Sequence, residues 1–543
     1  MQHYPTRNLK TNWRPDDGAK LAQLWNESGP GWPGGFGSGQ TTAEEAERSF
    51  RDHDLLAAFV AEADDRIVAY CDLTADASGR FAHVNLLNAH PDYHGRGFGK
   101  AVLLSAVDRT IQLGYPRVIL GTWPGNLKAV PLYKKAGFMW RPETDVLMES
   151  FVPFAVRHPL ARPYFEKHDW YETQVRDLAL HEDAHMRGKV RAYEYLWRAD
   201  GDMLRMVFDR HSWGLLEIET NDVRAGCSLP DEKLIADMPH RIRWEIETKT
   251  GAAVDAVIVA QPDPGISCEF RESLAVRRRT SRTAEFTIDP DIPEKEREPF
   301  APMIKSALLL GGQPLELAAG MEVRQAAEVG VESDYVPLRP RAERTIYLHV
   351  SSNLDKPARA TVSSFCTRGA RMPRQIATVD LAPHARRRFP LTLTPDSPGQ
   401  VDVTARIVLQ TSGGTVRAKD ARLALAARDP GDAVGVADEH RAELCSERLS
   451  VHIDRGGWVQ VLHRAADRGH PPLRGLLHLR TPVLGPPFAW QEFFTRPKFD
   501  VTIENSRGAA VAIVRSDSAL HPGLLLERRV ILTHRPVIEL RDR

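Results

Sequence analysis

The chain has no surplus of charge of either sign: 72 lysines and arginines stand against 72 aspartates and glutamates in 543 residues. That balance argues against a dedicated polyanion binder, so nucleic acid is not expected as a partner. The local basic runs, 277–279 and 386–388, sit beside strand-like sequence and read as solvated turns. Cysteine is scarce. Cys71, Cys227, Cys268, Cys366 and Cys445 are widely spaced, odd in number and free of any C-x-x-C. This excludes a disulfide framework or a cysteine zinc site and suits a reducing, cytoplasmic setting. Long hydrophobic runs are missing too. None reaches the length that crosses a bilayer, and the opening MQHYPTRNLKTNW has no apolar signal core, so no membrane partner is expected.

What is present is length enough for three or four domains and one informative stretch, residues 88–138. A strand, FAHVNLLNA (81–89), runs into the turn HGRGFGK, and a helix follows with Val102, Leu103, Ala106, Val107, Ile111 and Leu113 on its apolar face. Gly95, Gly97 and Gly99 permit tight backbone and close ligand approach. The turn delivers free N–H groups at a helix N-terminus, where the dipole favours an anion. A pyrophosphate site is the prediction. An apolar strand (117–122) comes next, then Asn126-x-x-Ala129-x-x-Leu132-Tyr133-x-x-x-Gly137-Phe138, with Asn126 as a helix N-cap and Gly137 as the helix stop.

With both motifs in order, the stretch resembles the GNAT N-acetyltransferases. Their Arg/Gln-x-x-Gly-x-Gly/Ala signature is matched by His94-Gly95-Arg96-Gly97-Phe98-Gly99, with His94 in the place of Arg or Gln. The resemblance implies an α/β acyltransferase fold over residues 1–153 and acetyl-CoA as cosubstrate. It implies cofactor contacts from the backbone at Leu87 and Ala89, from His94, Gly95, Arg96, Gly97, Phe98, Gly99 and Lys100, and from Asn126 and Tyr133. It also makes Tyr133 the general acid in direct attack of a primary amine on the thioester. A phenol near pKa 10 is protonated at neutral pH and can serve a departing thiolate. The base stays open. His83 shares a strand face with Asn85 and Leu87, but a lone strand histidine is more often structural.

Within the first domain, 8–15 reads as a strand, 16–28 as a helix, 55–63 and 66–74 as a hairpin. The glycine-rich segment 29–40 reads either as a substrate loop or as a surface loop. Residues 153–163 read as a linker. The remainder predicts all-β, sandwich-type domains: a β-rich domain over 164–290 with a hairpin at 193–210, an immunoglobulin-like sandwich over 303–428, and a further sandwich over 440–543 with a carbohydrate-enzyme character. Proline- and charge-rich 290–302 and 429–438 read as linkers. These domains make a glycan or protein ligand an alternative role, with the first domain as a non-catalytic acyl-CoA scaffold. One competing motif remains, His181-Glu182-x-x-His185, a zinc-protease pattern if it lies on a helix. Arg191 stands where a third histidine ligand would fall and strand sequence follows at once, so no metal is expected.

Overall fold

The computed structural model describes residues 5–29, 40–52, 55–76, 79–123, 125–141, 146–176, 178, 185–295, 299–331, 338–438, 441–454, 459–463, 500–517, 525–535 and 538–542. They form two compact units, one of Met1–Leu234, Pro239–Phe286 and Arg297–Glu322, the other of Ile235–Met238, Thr287–Glu296 and Val323–Arg543.

The first unit begins with strand β1 (Thr6–Asn8), helices α1 (Asp17–Glu27) and α2 (Ala43–Asp52), and strands β2 (Leu55–Ala63), β3 (Arg66–Ala75) and β4 (Ala82–Ala89). The first strand ends earlier than the expected 8–15, because the Asn8 side chain accepts the Lys10 N–H and its carbonyl accepts the Thr11 N–H, which turns the chain. Helix α2 escapes an apolar-period reading. Its signal is the capping box Thr42–Glu45, in which Thr42 Oγ1 accepts the Glu45 N–H and Glu45 Oε2 accepts the Thr42 N–H. The β2–β3 hairpin turns through Asp64 and Asp65 at φ +50° and +58°, the left-handed pair that matches strand twist. Most of the glycine-rich segment 29–40 lies outside the described residues.

Helix α3 (Phe98–Leu113), strand β5 (Val118–Gly121), helix α4 (Val130–Lys135) and strands β6 (Met139–Trp140) and β7 (Leu147–Ser150) complete a seven-stranded sheet in the order β1-β2-β3-β4-β5-β7-β6. Only β4 and β5 run parallel. Leu21, Leu24 and Trp25 of α1 and Ala46 of α2 pack on Val60, Ile67 and Tyr70 at one face. Phe59, on the opposite side of β2, lines a cavity of about 310 Å³ with Ser105 and Arg109, so α3 covers the other face. This is the α/β architecture expected of the first domain.

The expected linker 153–163 carries two short helices, α5 (Val152–Arg157) and α6 (Arg162–Phe165), and helix α7 (Trp170–Thr173) follows. A second, all-antiparallel sheet comes next. It contains β8 (Gln174–Val175), β9 (His185–Arg187), β10 (Val190–Ala199), β11 (Asp202–Asp209), β12 (Leu215–Glu219), β13 (Val223–Ser228), His240–Thr248, Arg279–Ile288 and Ile266–Ser267. The expected 193–210 hairpin is β10–β11, turning at Asp200 and Gly201 with φ +51° and +86°. Trp244 in this sheet donates its indole N–H to Ser306 of a four-stranded sheet that includes Met303–Leu310. The two tyrosines of β10 reach into the α/β sheet. The Tyr193 hydroxyl lies 2.8 Å from Glu149 Oε1, and Phe151 stacks on Phe208 at 4.6 Å. Glu149, fully buried, also pairs with Arg117, whose guanidinium lies 3.5 Å from the ring centre of Trp213. The two sheets therefore share apolar and polar core.

The second unit is β throughout its described residues. Strands Ala327–Val331, Arg344–Ser352, Arg386–Pro395 and Ala370–Arg371 form one sheet, and Gln375–Leu381, Ala358–Arg368, Gly399–Thr411, Gly414–Arg417 and Ala421–Ala427 form another. Their inward residues, among them Leu348, Val350, Val362, Leu391, Val403 and Ile407, make a single core. Val434–Ala437 is a strand inside the expected linker 429–438, because Val434 and Val436 are buried. Two further four-stranded sheets, starting at Val434 and Asp500, share the core of Leu444, Val451, Ala512 and Val530. Much of the expected last domain, 464–499, lies outside the described residues. None of the five cysteines forms a disulfide. Among the described residues no helix is long and apolar enough to cross a membrane.

Candidate active site

The strand that enters the glycine turn, β4, pairs with β3 across an irregularity that holds one carboxylate. Asp72 interrupts the apolar run of β3, and the β3–β4 register shifts there, between Cys71↔Leu87 and Leu73↔Val84. Asp72 Oδ1 accepts the Leu86 N–H at 2.7 Å and Oδ2 accepts the Tyr70 hydroxyl at 3.1 Å. The irregularity bends β4. Its pairing with β5 runs only from Ala82↔Val118 to Val84↔Leu120. From Asn85 on, β4 is laddered to β3 alone, and the edge toward β5 carries backbone groups at Leu87 and Ala89 that a ligand can meet. The side chain of Asn88 points to the α1 face, where its Oδ1 accepts from Ser28, and its buried Nδ2 has no partner within the protein.

Beyond β4 the chain makes a short turn, Pro91–Tyr93, held by the Asp92 N–H on His90 Nδ1. His94 follows, and its Nε2 lies 2.9 Å from the Ala89 carbonyl oxygen, so the ring ties the turn back to the strand. Gly95 and Gly97 sit at φ +76° and +93°. Gly97 is the N-cap of α3. No side chain caps that end and no acidic residue stands in its first turn. The dipole at this end of α3 favours an anion. A Cβ on Gly99 would lie 3.6 Å from Ala89 Cβ and 3.8 Å from Leu132, so the helix start, the end of β4 and α4 meet here. The Arg96 guanidinium rests over Tyr93 at 4.8 Å and near Phe98 at 5.4 Å, and Lys100 reaches the ring of Tyr171 at 5.1 Å.

Asn126 braces the approach to α4. Its Oδ1 accepts the Ala129 N–H at 3.1 Å and its Nδ2 donates to Thr122 Oγ1 at 3.1 Å, while the helix itself starts at Val130. Asn126 therefore caps the turn ahead of the helix. Tyr133 lies in the middle of α4, 6% exposed, with its ring edge-on to Phe138 at 6.3 Å. Burial first, and then the neighbouring Cys71, push the phenol above its ordinary value, so it holds its proton at neutral pH. Gly137 ends the helix at φ +80°.

The predicted residues thus divide into two groups. Ala89 and Gly99 meet at the junction of β4 and α3 with Leu132 of α4 beside them, whereas Arg96 lies on Tyr93, the Lys100 amine reaches Tyr171 and Asn126 is engaged within its own turn. Sequence reasoning missed Asp72 and Cys71. Asp72 had a signal, a lone carboxylate inside RIVAYCDLT; Cys71 had none. His83 is half-buried, and desolvation lowers its pKa, which favours the neutral ring. The protease motif meets a different environment. His185 lies in β9 with Nε2 3.0 Å from Glu194, where a zinc-protease pattern needs a helix. The rest of the motif, 181–184, lies outside the described residues.

Residues 21–138 match the model of the acetyltransferase (GNAT) family. This places an acetyltransferase-type domain on the α/β sheet, over about a fifth of the chain. No curated protein matches. Among solved structures, the chain is similar to a PaiA N-acetyltransferase from Thermoplasma acidophilum in complex with coenzyme A, at 22% identity over 27% of this chain and 99% of that one, with a TM-score of 0.23. It is also similar to YncA, a putative acetyltransferase from Salmonella typhimurium with acetyl-CoA, at 14% identity over 28% and 95% of the two chains, TM-score 0.24. A ribosomal-protein-alanine N-acetyltransferase from Brucella melitensis is 14% identical over 27% and 99%, TM-score 0.23.

Proposed function

We propose that the first unit is an acetyl-CoA-dependent N-acetyltransferase acting on a primary amine. One observation carries the reading: the uncapped start of α3 at Gly97 adjoins the stretch of β4 that has no β5 partner. The family match over residues 21–138 and the coenzyme A and acetyl-CoA named for two of the similar structures support the choice of ligand.

The donor supplies the thioester. The backbone of the Gly95–Lys100 turn holds its phosphates, and the helix dipole adds to the attraction. The main chain at Leu87 and Ala89 orients the arm and the acyl end, and a well-placed donor there stabilises charge developing on the carbonyl oxygen. His94 and Asn126 hold the two turns that flank this groove. Tyr133 keeps a proton on its phenolic oxygen and delivers it to the leaving sulfur. We extend the reading to the immunoglobulin-like sandwich expected over 303–428, supported from residue 327 on by two antiparallel sheets around one core, while Met303–Leu310 belongs to a sheet of the first unit.

The test is Tyr133→Phe, with thiol release from acetyl-CoA followed across an amine panel. Turnover should fall by about 10²–10⁴-fold, the range of a lost general acid, with cofactor affinity unchanged. The loss should shrink with a donor whose thiol is more acidic. Wild-type turnover in the variant would remove Tyr133 as the acid. Binding of acetyl-CoA with no turnover by the wild type on any amine would favour the scaffold alternative.

A further inference from the structure

The helix that carries Tyr133 is held from outside its own domain. Tyr195 belongs to β10 of the second sheet and is fully buried. Its hydroxyl donates to the Gly137 carbonyl at 3.0 Å and accepts the Phe151 N–H at 3.1 Å. Gly137 is the turn that stops α4: its N–H bonds the Lys134 carbonyl, and the next N–H, from Phe138, bonds the carbonyl of Tyr133 itself at 3.0 Å. Phe151 directly follows β7, which pairs with β5 along Val118–Gly121. One hydroxyl thus joins the end of the Tyr133 helix to the β5–β7 arm of the sheet.

The surroundings leave this joint little freedom. A Cβ on Gly137 would meet Val152 Cγ2 at 2.8 Å and the Gln174 amide at 3.2 Å, so α5 and β8 close on the same turn. The ring of Tyr195 is stacked with Trp197 and edge-on to Phe208, which fixes where the hydroxyl can be. A side chain that is locked by packing and bonded to the backbone beneath a reacting group sets that group's position, and a misplacement of about 1 Å can cost on the order of 10²-fold in rate.

We infer that Tyr195 is a positioning residue for acyl transfer, holding α4 so that the Tyr133 hydroxyl meets the leaving sulfur. The second sheet is then a working part of the transferase. This rests on the reading of Tyr133 as the acid.

The experiment is a double-mutant cycle in the full chain, with Tyr195→Phe, Tyr133→Phe and both together, read by thiol release from acetyl-CoA with the best acceptor of an amine panel. Tyr195→Phe keeps the ring and should lower kcat about tenfold, leave acetyl-CoA affinity within twofold, and have no further effect in the Tyr133→Phe background. Hydrogen exchange in the peptide spanning 130–140 should quicken. Tyr193→Phe is the control. It removes a hydroxyl from the same strand that reaches Glu149 and Trp140 instead of the α4 turn, and kcat should hold. If Tyr195→Phe fails to fold, Val152→Ala, which trims the side chain that closes on the Gly137 turn, loosens the same joint and should show the same pattern. Wild-type kcat in Tyr195→Phe, or an equal loss in both backgrounds, overturns the inference while leaving Tyr133 as the acid. Wild-type turnover in Tyr133→Phe overturns both readings.

Discussion

Asp72 accepts the backbone N–H of Leu86 across the β3–β4 irregularity, two residues beyond Val84, where the pairing of β4 with β5 ends. Asp72 is 6% exposed and also receives the Tyr70 hydroxyl, so its loss strands two donors in the interior. Asp72→Ala should cost about 1–3 kcal/mol, visible as a lowered Tm, and should weaken acetyl-CoA binding because residues 85–89 lose their bend. Asp72→Asn keeps an acceptor oxygen and should recover most of both. An alanine variant with unchanged Tm and affinity would detach the irregularity from the site.

The shared core within the first unit yields a second expectation. Phe151 is 1% exposed and stacks on Phe208, and the buried Glu149 takes its partners from Arg117 and Tyr193. A fragment ending at residue 156 strips Tyr193, Tyr195 and Phe208 from this surface. It should be insoluble or unfolded, whereas a fragment ending at 322 should fold and bind acetyl-CoA. Far-ultraviolet circular dichroism and cofactor titration on the two fragments decide it, and a soluble, binding 1–156 fragment contradicts the shared core.

Much of this site was legible in the sequence because its parts are local. Gly95, Gly97 and Gly99 fall between a strand and a helix of plain periodicity, and the left-handed angles at Gly95 and Gly97 are those such a turn requires. The hairpins at Asp64-Asp65 and Asp200-Gly201 are equally local. What escaped depends on contacts far apart in the chain. Nothing near Tyr195 in the sequence points to Gly137, 58 residues away. The proline-bearing 153–163 looked like a linker, since proline is accepted in the first turn of a helix as readily as in a spacer, and α5 and α6 use it that way. His185 shows the converse error. Its motif is defined on a helix, and strand pairing with β10 took precedence.

Stability should depend on pH through His158. The ring is 7% exposed, and burial lowers its pKa from 6.5 to about 4. Between those values the unfolded chain binds a proton that the folded chain does not, so stability falls as pH drops from about 6.5 toward 4. Glu194 titrates in a lower window. His185 and Arg205 hold it down to about 2, and its contribution is lost only below about 4.5. The Tm measured from pH 7 to pH 5 should therefore decline, and His158→Asn, whose amide oxygen can still accept the Leu160 N–H, should flatten that decline. An identical slope in the variant would show that other groups, such as His83, carry the dependence.

The central claim is that the start of α3 binds the phosphates of acetyl-CoA, and titration calorimetry on Gly97 variants of the full chain tests it most directly. Gly97 sits at φ +93°, where L side chains are strained and asparagine is among the least so, so the charge must be separated from the strain. Gly97→Asn tolerates the left-handed angle and stays neutral; Gly97→Glu puts a carboxylate where phosphate is expected. The account predicts that the wild type binds acetyl-CoA, that Gly97→Asn retains most of that affinity, and that Gly97→Glu loses it while circular dichroism stays unchanged. Equal affinity in Gly97→Glu and the wild type, or no binding of acetyl-CoA by the folded wild type, would contradict it.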